Sequence, residues 1–347
     1  MQERRLGLWE KYLTLWVALC IIAGTALGRS LPHVADILAK LEVAHISIPI
    51  AICLFAMIYP IMVQISFEEI KKAVLSPKPI ALTLFANWVV KPFTMALFAW
   101  LFLSLIFGRF LLPEQIQDYR AGLILLGVAP CTAMVLVWSY LARGNMGHTL
   151  VMTAINSLAM VILYAPLAMF LLGISGIRVP WETVALSVAI YICTPLLAGY
   201  ITRRQVIKRK GIEWFQARLV PSLGKTSIIA LLITLVVLFS FQGYLIIELP
   251  AIIGMIAVGI LVNILVVFGV TYIVGRLMNL TYEDAAPAAI IAGSNHFEVA
   301  IAVSTTLFGV TSGASLATVV GLLTEVPFML ILVQLCKATK GTFRRKL

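Results

Sequence analysis

Ten apolar stretches, each long enough to cross a lipid bilayer as a helix, dominate the sequence. A helix spans the hydrocarbon core of a membrane in about 20 residues. The predicted spans cover roughly residues 12–28, 46–65, 80–107, 121–142, 149–173, 183–202, 226–247, 251–275, 286–308 and 316–336. Of the 347 residues, 61% are hydrophobic and only 12% are charged. This balance is typical of an integral membrane protein and leaves little chain for a soluble domain.

The basic residues predict how the chain is oriented, because Lys and Arg in loops stay on the cytoplasmic side. With the N-terminus inside, twenty of the 26 basic residues fall on that side, five on the other, and Lys91 within a span. We therefore expect a multi-pass protein of the plasma membrane with both termini in the cytoplasm. The largest basic cluster, at 203–210, directly follows a span. Topology and anionic lipid headgroups therefore explain the net charge of +11 better than a nucleic-acid partner does.

The cysteines do not form a pattern typical of disulfides or metal sites. Their number is odd, and they lie far apart within or at the ends of spans: Cys20, Cys53, Cys131, Cys193 and Cys336. Neither CxxC nor a Cys/His ligand spacing occurs, so the sequence supports no disulfide framework and no zinc site. It also lacks GxxxxGK[ST], the phosphate-binding loop of ATPases. We expect no cofactor, and no sequence feature specifies an oligomeric state.

The two halves of the chain correspond to each other, which predicts a single transmembrane domain over residues 1–347. A gap-free offset of 166 residues aligns Gly127 with Gly293, Leu141 with Leu307, Gly147 with Gly313 and Leu150 with Leu316. With five spans in each half, the second half would have the opposite topology, as in many transporters. The prediction is an all-α fold with repeats at about 12–173 and 183–336.

Helix-breaking residues interrupt the fourth and ninth spans at matching places. The fourth contains Gly127-Val128-Ala129-Pro130-Cys131-Thr132, and the ninth contains Gly293-Ser294-Asn295-His296-Phe297-Glu298. Irregular backbone at membrane depth is tolerated only where protein or a watery cavity satisfies its N–H and C=O groups. The two breaks therefore predict one shared cavity. The alternative is a pair of packing kinks, since Gly and Pro are common in membrane helices.

Three charged residues lie near the middle of predicted spans: Lys91, Glu298 and Glu325. A carboxylate at this depth costs about 2.5–3.5 kcal/mol on insertion scales, which usually marks function. Glu298 is the candidate for binding and releasing a proton during transport, with a cap on the broken helix as the alternative. Lys91 is a further candidate for proton coupling and is predicted to pair with Glu325 or Glu298, unless its long side chain snorkels to the membrane surface. Glu325 is a second candidate for proton coupling or a structural carboxylate.

Polar residues in the breaks are the candidates for binding a substrate. Cys131 follows Pro130 at a broken helix, where free N–H groups and a half-helix N-terminus favour a thiolate, although a free cysteine is often only a small buried hydrophobe. A thiolate in a cavity suits a soft, thiophilic solute. His296 is either a proton relay or a packing residue. Asn156 and Asn263 are predicted to make hydrogen bonds between helices.

Three motifs resemble the Acr3 family of arsenical-resistance transporters, in the bile acid/sodium symporter superfamily. They are GVAPCTAMVLVWS at 127–139, AGSNHFEVAIAVS at 292–304 and SGASLATVVGLLTEVPFML at 312–330. The similarity extends through all ten spans. It implies two inverted five-helix repeats whose unwound fourth and ninth helices cross. His296 departs from the family pattern, in which Ser-Asn-Asn-Phe-Glu has a second asparagine.

The resemblance also implies the function, which is export of trivalent arsenic as arsenite, with antimonite as a second candidate, in exchange for protons. The family's essential cysteine and glutamate match Cys131 and Glu298. Arsenic would thus be a substrate on the Cys131 sulfur and not a resident metal. The expected substrate-binding residues are completed by four polar side chains: Thr132, Ser294, Asn295 and His296.

Two other functions are compatible with parts of the sequence. The first is a sodium-coupled organic-anion symporter of the same superfamily; Lys91 and a lone thiol suit it poorly because hard cations prefer oxygen ligands. The second is an intramembrane enzyme with Cys131 and His296 as nucleophile and base. These residues fall on different repeats and no enzyme signature occurs, so we do not expect an enzyme.

Overall fold

The structure, a computed structural model, describes residues 13–30, 42–43, 46–65, 77–132 and 134–343. Within these ranges the regular elements are helices, apart from a short antiparallel pair of Glu42–Val43 with Ile46–Ser47. The terminal basic residues that contribute to the predicted orientation, at 4–11 and 344–346, lie outside the described residues.

Each predicted span corresponds to helix in the structure, and we number the helices by these spans. The first, second, third, fifth, eighth and tenth helices are Leu13–Ser30, Ile48–Val63, Pro77–Ile106, Met146–Ile174, Pro250–Leu277 and Gly313–Thr339. The fourth helix consists of two halves, Pro113–Val128 and Met134–Leu141, and so does the ninth, Tyr282–Gly293 and Phe297–Phe308. The sixth and seventh spans lie in consecutive segments: Trp181–Val188, Ala189–Cys193, Thr194–Trp214, Phe215–Leu219 and Val220–Glu248.

Several helices are long and apolar enough to cross a membrane. Among the described residues, five stretches meet this criterion: Pro77–Ile106, Met146–Ile174, Trp181–Gln242, Pro250–Leu277 and Gly313–Thr342. Large apolar side chains on their outer faces are exposed, among them Ile162 at 71% and Leu277 at 74%. Such side chains would be costly in water and are normal against lipid. The chain is therefore a multi-pass membrane protein.

The segment between the sixth and seventh spans does not form a loop directly after the sixth span. Instead, Thr194–Trp214 carries the basic cluster on a helix that continues past the apolar span. The helical geometry is interrupted at Gly211, which has φ 82° and ψ 166°. Only glycine adopts such angles without strain. The sequence pattern missed this extension because hydropathy reports where a helix leaves the membrane and not where it ends.

The helices form two packed groups. In one, the seventh helix contacts the first and second, and the sixth contacts the second. In the other, the third, fourth, eighth, ninth and tenth helices pack together, with the fifth against both halves of the fourth. Glycines permit close approach of backbones, as is usual between membrane helices. A Cβ atom on Gly122 would lie 2.2 Å from the carbonyl oxygen of Ala314 in the tenth helix.

Two predicted hydrogen bonds between helices are confirmed. The indole Nε1 of Trp88 donates to Oδ1 of Asn156 at 3.3 Å, joining the third and fifth helices. The Nδ2 atom of Asn263 donates to Oγ1 of Thr94 at 2.7 Å, joining the eighth and third. Both asparagines are fully buried, so these bonds offset part of the cost of placing an amide inside the protein.

Candidate functional site

The fourth helix breaks where the sequence predicts. Its first half ends at Val128, and Ala129 takes extended angles, φ −97° and ψ 100°. The next residue, Pro130, cannot donate a backbone hydrogen bond and disfavours a helical conformation in the residue before it. Helix resumes at Met134. The break therefore follows from the local sequence and leaves the backbone around Pro130 in need of partners.

The ninth helix breaks at the matching place. Its first half ends at Gly293, Ser294 is extended with φ −94° and ψ 147°, and helix resumes at Phe297. His296 precedes the second half with φ −92° and ψ 81°. The side chain of Glu298 thus lies in the first turn of a half-helix, where a negative charge is favoured by the helix dipole.

The two breaks cross, and their backbone groups form hydrogen bonds with each other. Pro130 and Asn295 form an isolated antiparallel bridge. The backbone N–H of Cys131 donates to the carbonyl oxygen of Ser294 at 3.3 Å, and that of His296 donates to the carbonyl oxygen of Ala129 at 2.8 Å. Backbone groups freed by one break are therefore paired with groups freed by the other, as the absence of water at membrane depth requires. The two breaks therefore meet at one place in the fold.

A small cavity, open at its mouth, lies beside the crossing. Its walls come mainly from the fourth, ninth and tenth helices, and the seventh contributes one leucine. The lining residues are Cys131, Met134, Trp138, Leu231, Asn295, Phe297, Glu298, Leu322, Glu325 and Val326. The cavity is thus largely apolar, with a thiol, an amide, an indole and two carboxyl groups converging on it, as in a typical small-ligand site.

Cys131 is the one cysteine among the described residues that lines this cavity, and only 3% of its surface is exposed. The backbone N–H of Val135 and the side chain of Ser294 are polar neighbours of its sulfur. The described part of the chain contains no cluster of three or more His, Cys, Asp or Glu residues able to hold a metal ion. The sulfur is therefore available to a solute as a single soft ligand.

Glu298 and His296 form a close pair at the start of the second half of the ninth helix. The imidazole Nδ1 lies 2.9 Å from Oε2 of Glu298, within ion-pair distance. The angles are not those of a hydrogen bond, and neither ring nitrogen has a hydrogen-bond partner among the described residues. His296 is fully buried and does not line the cavity, whereas Glu298 does. The histidine is therefore placed to act on Glu298 and not to touch a solute directly.

Lys91 is buried at the crossing, so the alternative of a snorkelling side chain is wrong. A five-residue π-helical segment, Ala86–Val90, precedes it in the third helix. Its ammonium is 0% exposed and donates to the carbonyl oxygen of Ser294 at 2.5 Å. Within the described chain, neither Glu325 nor Glu298 comes within ion-pair distance of this ammonium. The predicted direct ion pair is replaced by a link through Ser294.

Glu325 is held by the break of the ninth helix. Its carboxylate accepts from the Ser294 hydroxyl at 2.5 Å, from the backbone N–H of Asn295 at 3.0 and 3.1 Å, and from Asn295 Nδ2 at 3.1 Å. The carboxylate thus satisfies donors that the break leaves free. Since Glu325 also lines the cavity, this structural role does not remove it from the site.

Of the remaining predicted residues, two lie behind the cavity wall and one lines the cavity. Thr132 and Ser294 are fully buried and do not line it, whereas Asn295 does. Sequence reasoning missed Trp138, which lines the cavity with an indole N–H that has no partner among the described residues. Helical spacing from Cys131 could not have identified Trp138, because Cys131 precedes the start of the helix at Met134.

Comparison with known proteins shows which family the chain belongs to. The profile of the Sodium Bile acid symporter family matches residues 51–249. An uncharacterized transporter of Synechocystis is 53% identical over 98% of this chain and 91% of its own length. The arsenical-resistance protein Acr3 of Alkaliphilus metalliredigens is 44% identical over 99% of this chain and 96% of its own. Acr3 of Corynebacterium glutamicum is 35% identical over 95% and 89%.

These relatives are transporters and not enzymes, and their similarity extends over nearly the whole chain. A buried crossing of two broken helices beside a small cavity is the arrangement that alternating-access carriers use at their substrate sites. The chain belongs to the Sodium Bile acid symporter family, among its Acr3 transporters.

Proposed function

We propose that this transporter exports trivalent arsenic as arsenite from the cytoplasm in exchange for protons, with antimonite as a second substrate. The observation that carries the proposal is the cavity in which Cys131 and Glu298 face the same space. Arsenite at neutral pH is arsenous acid, a neutral molecule with a thiophilic arsenic atom and three hydroxyl groups. The two relatives named for arsenical resistance support this choice of solute.

In the proposed mechanism Cys131 contacts arsenic, while Glu298 exchanges a proton. A single sulfur ligand gives contact weak enough for the solute to leave again, which transport requires. Glu298 lies at the boundary between the cavity and the buried His296, so it can take up a proton from one side and lose it to the other. Arsenite export is coupled to proton entry if Glu298 carries the proton when the cavity is empty and has lost it when the cavity holds arsenite.

The proposal includes two inverted repeats, about 12–173 and 183–336, within one domain of the plasma membrane and with cytoplasmic termini. Corresponding helices of the two halves occur in the same packed group: the first with the sixth, the second with the seventh, and so on. The offset of 166 residues also relates Asp118 to Asp284, and each of these carboxylates binds the start of a helix in the other half. An odd number of helices per repeat inverts the topology.

Arsenite uptake into everted membrane vesicles tests the proposal. In such vesicles the external face points inward, so a lumen more acidic than the bath should drive arsenite in. We expect Cys131→Ser and Glu298→Gln to reduce this uptake to background while both proteins still insert.

Two matched variants serve as controls. Cys20→Ser changes another buried thiol, whose Sγ contacts the carbonyl oxygen of Leu232 at 3.6 Å, and Glu248→Gln changes an exposed carboxylate. Both should leave uptake in place. Normal uptake by Cys131→Ser would exclude the thiol from the mechanism, and uptake that follows a sodium gradient instead of the pH gradient would support the sodium-coupled alternative.

A further inference from the structure

The side-chain amide of Asn295 makes a hydrogen bond through its nitrogen but none through its oxygen within the described residues. Its Nδ2 donates to Oε2 of Glu325 at 3.1 Å. Its Oδ1 is buried and has no hydrogen-bond partner in the described part of the chain. The residue is 4% exposed and lines the cavity. A buried acceptor without a partner costs free energy, so its presence at a cavity wall points to a ligand that donates a hydrogen bond.

Glu325 determines which end of this amide is free. An ionised carboxylate only accepts hydrogen bonds, and this one already accepts from the Ser294 hydroxyl and the Asn295 backbone N–H. If the amide were reversed, its oxygen would face the carboxylate and the two would repel. The NH₂ end must therefore face Glu325, and the oxygen must face away from it.

Lys91 compensates the charge of Glu325 through Ser294. The ammonium donates to the carbonyl oxygen of Ser294, and the hydroxyl of the same residue donates to Glu325. A buried carboxylate needs such compensation, because a buried charge without a partner strongly destabilises the fold. The other titratable groups that face this cluster are Cys131, His296 and Glu298.

We propose that Asn295 is a specificity-determining residue that accepts a hydrogen bond from a hydroxyl group of the solute, and that Glu325 and Lys91 are its positioning residues. The inference rests on the proposed function, in which the solute is arsenous acid. The cavity then offers acceptor oxygens from Asn295 and Glu298 beside the sulfur of Cys131. It selects a neutral hydroxyl donor and repels an anion, which would bring a negative charge to these oxygens.

Equilibrium binding of arsenite to the purified full-length protein, measured by calorimetry, tests the role of Asn295. Asn295→Ala keeps the backbone N–H that binds Glu325 and removes only the side chain. We expect it to weaken arsenite binding about tenfold, the effect of one lost hydrogen bond. Asn295→Leu, which is closer in size, replaces it if the alanine variant fails to fold. Unchanged arsenite binding would overturn the inference.

A double-mutant cycle tests whether Glu325 acts through Asn295. In Glu325→Gln the neutral amide can donate as well as accept, so the Asn295 amide is no longer held in one orientation. We expect weaker arsenite binding in this variant, but no further loss when it is added to Asn295→Ala. Equal losses in both backgrounds would show that Glu325 contacts the solute independently and would overturn its assignment as a positioning residue.

The unfolding temperature of the protein in detergent tests, independently of transport, whether Lys91 compensates the charge of Glu325. Lys91→Gln and Glu325→Gln should each lower it, and the double variant should lower it by less than the sum of the two. Additive losses would overturn the compensation of Glu325 by Lys91.

Asn263→Ala is the matched control for the binding measurements. This amide is also buried, with Nδ2 bonded to Thr94 and Oδ1 unpaired within the described chain, but it does not line the cavity. Its arsenite binding should equal that of the wild type. Failure of the wild type to bind arsenite would refute the proposed function. If the wild type binds arsenite and Asn295→Ala binds it equally well, only the inference is refuted.

Discussion

His296 places a titratable ring directly behind the carboxyl group that we propose as the proton site. Its Nδ1 lies 2.9 Å from Oε2 of Glu298, and the ring is completely buried. The identity of residue 296 should therefore affect how the proposed transport depends on pH, although the ring does not reach the cavity.

Replacement of His296 by asparagine should change the pH dependence of arsenite transport more than arsenite affinity. Asparagine removes the ring that can carry a proton beside Glu298, so the pH profile of uptake should change shape. Initial uptake rates at a series of pH values, compared with calorimetric binding at one pH, would measure both effects. His296→Gln serves as a second non-titrating variant. A profile unchanged in both variants would show that the histidine only fills space.

The crossing of the two broken helices depends on how closely unbroken segments can pack around it. The first half of the fourth helix lies against the tenth helix, and Gly122 is at the contact. A Cβ atom there would lie 2.2 Å from the carbonyl oxygen of Ala314 and 2.8 Å from the Cβ atom of Ala317. Backbone cannot yield as a flexible side chain can. The small residue therefore positions the element that leads into the break at Val128.

Gly122→Ala should lower the unfolding temperature of the protein in detergent. Helix propensity alone would favour alanine by roughly 1 kcal/mol, but overpacking at this contact costs about 1–3 kcal/mol. Gly254→Ala, in the eighth helix, is the matched control because no atom lies within 4 Å of the place that its new methyl group would occupy. This control should be neutral or stabilising. Equal behaviour of the two variants would show that the fourth and tenth helices can separate at little cost.

At the scale of the whole molecule, the sequence predicts some features of the fold and the site but not others. Hydropathy predicts the order of the helices, and the Gly and Pro residues predict where two of them break, because both signals are local. The partner of Lys91 was not predicted, because Ser294 lies 203 residues away and is brought close only by the crossing. Likewise, Trp138 and Leu231 line the cavity because tertiary packing determines which face of each helix points toward it.

Two carboxylates join the halves of the molecule at helix starts, outside the predicted spans. Asp284 accepts from Nδ2 of Asn145 at 3.1 Å, contacts Nδ1 of His148 at 2.5 Å and accepts from Oγ1 of Thr281 at 3.0 Å. Burial raises the pKa of Asp284, but these hydrogen bonds and the charge of His148 outweigh it, so the pKa is lowered. At Asp118 burial raises the pKa and outweighs one hydrogen bond from the Gly313 N–H, so the pKa is raised.

The opposite pKa shifts predict opposite effects of the same substitution. A lowered folded-state pKa means that ionised Asp284 stabilises the fold at neutral pH, and that this contribution is lost as pH falls through the folded-state value. Asp284→Asn should therefore cost about 1–3 kcal/mol near pH 7, with a smaller difference from the wild type in strong acid. A raised pKa means that ionised Asp118 opposes folding above its ordinary pKa. Asp118→Asn, which can still accept from Gly313, should thus be neutral or stabilising at pH 7. Unfolding temperatures of both variants at pH 7 and in acid would measure these signs, and a destabilised Asp118→Asn beside an unaffected Asp284→Asn would contradict them.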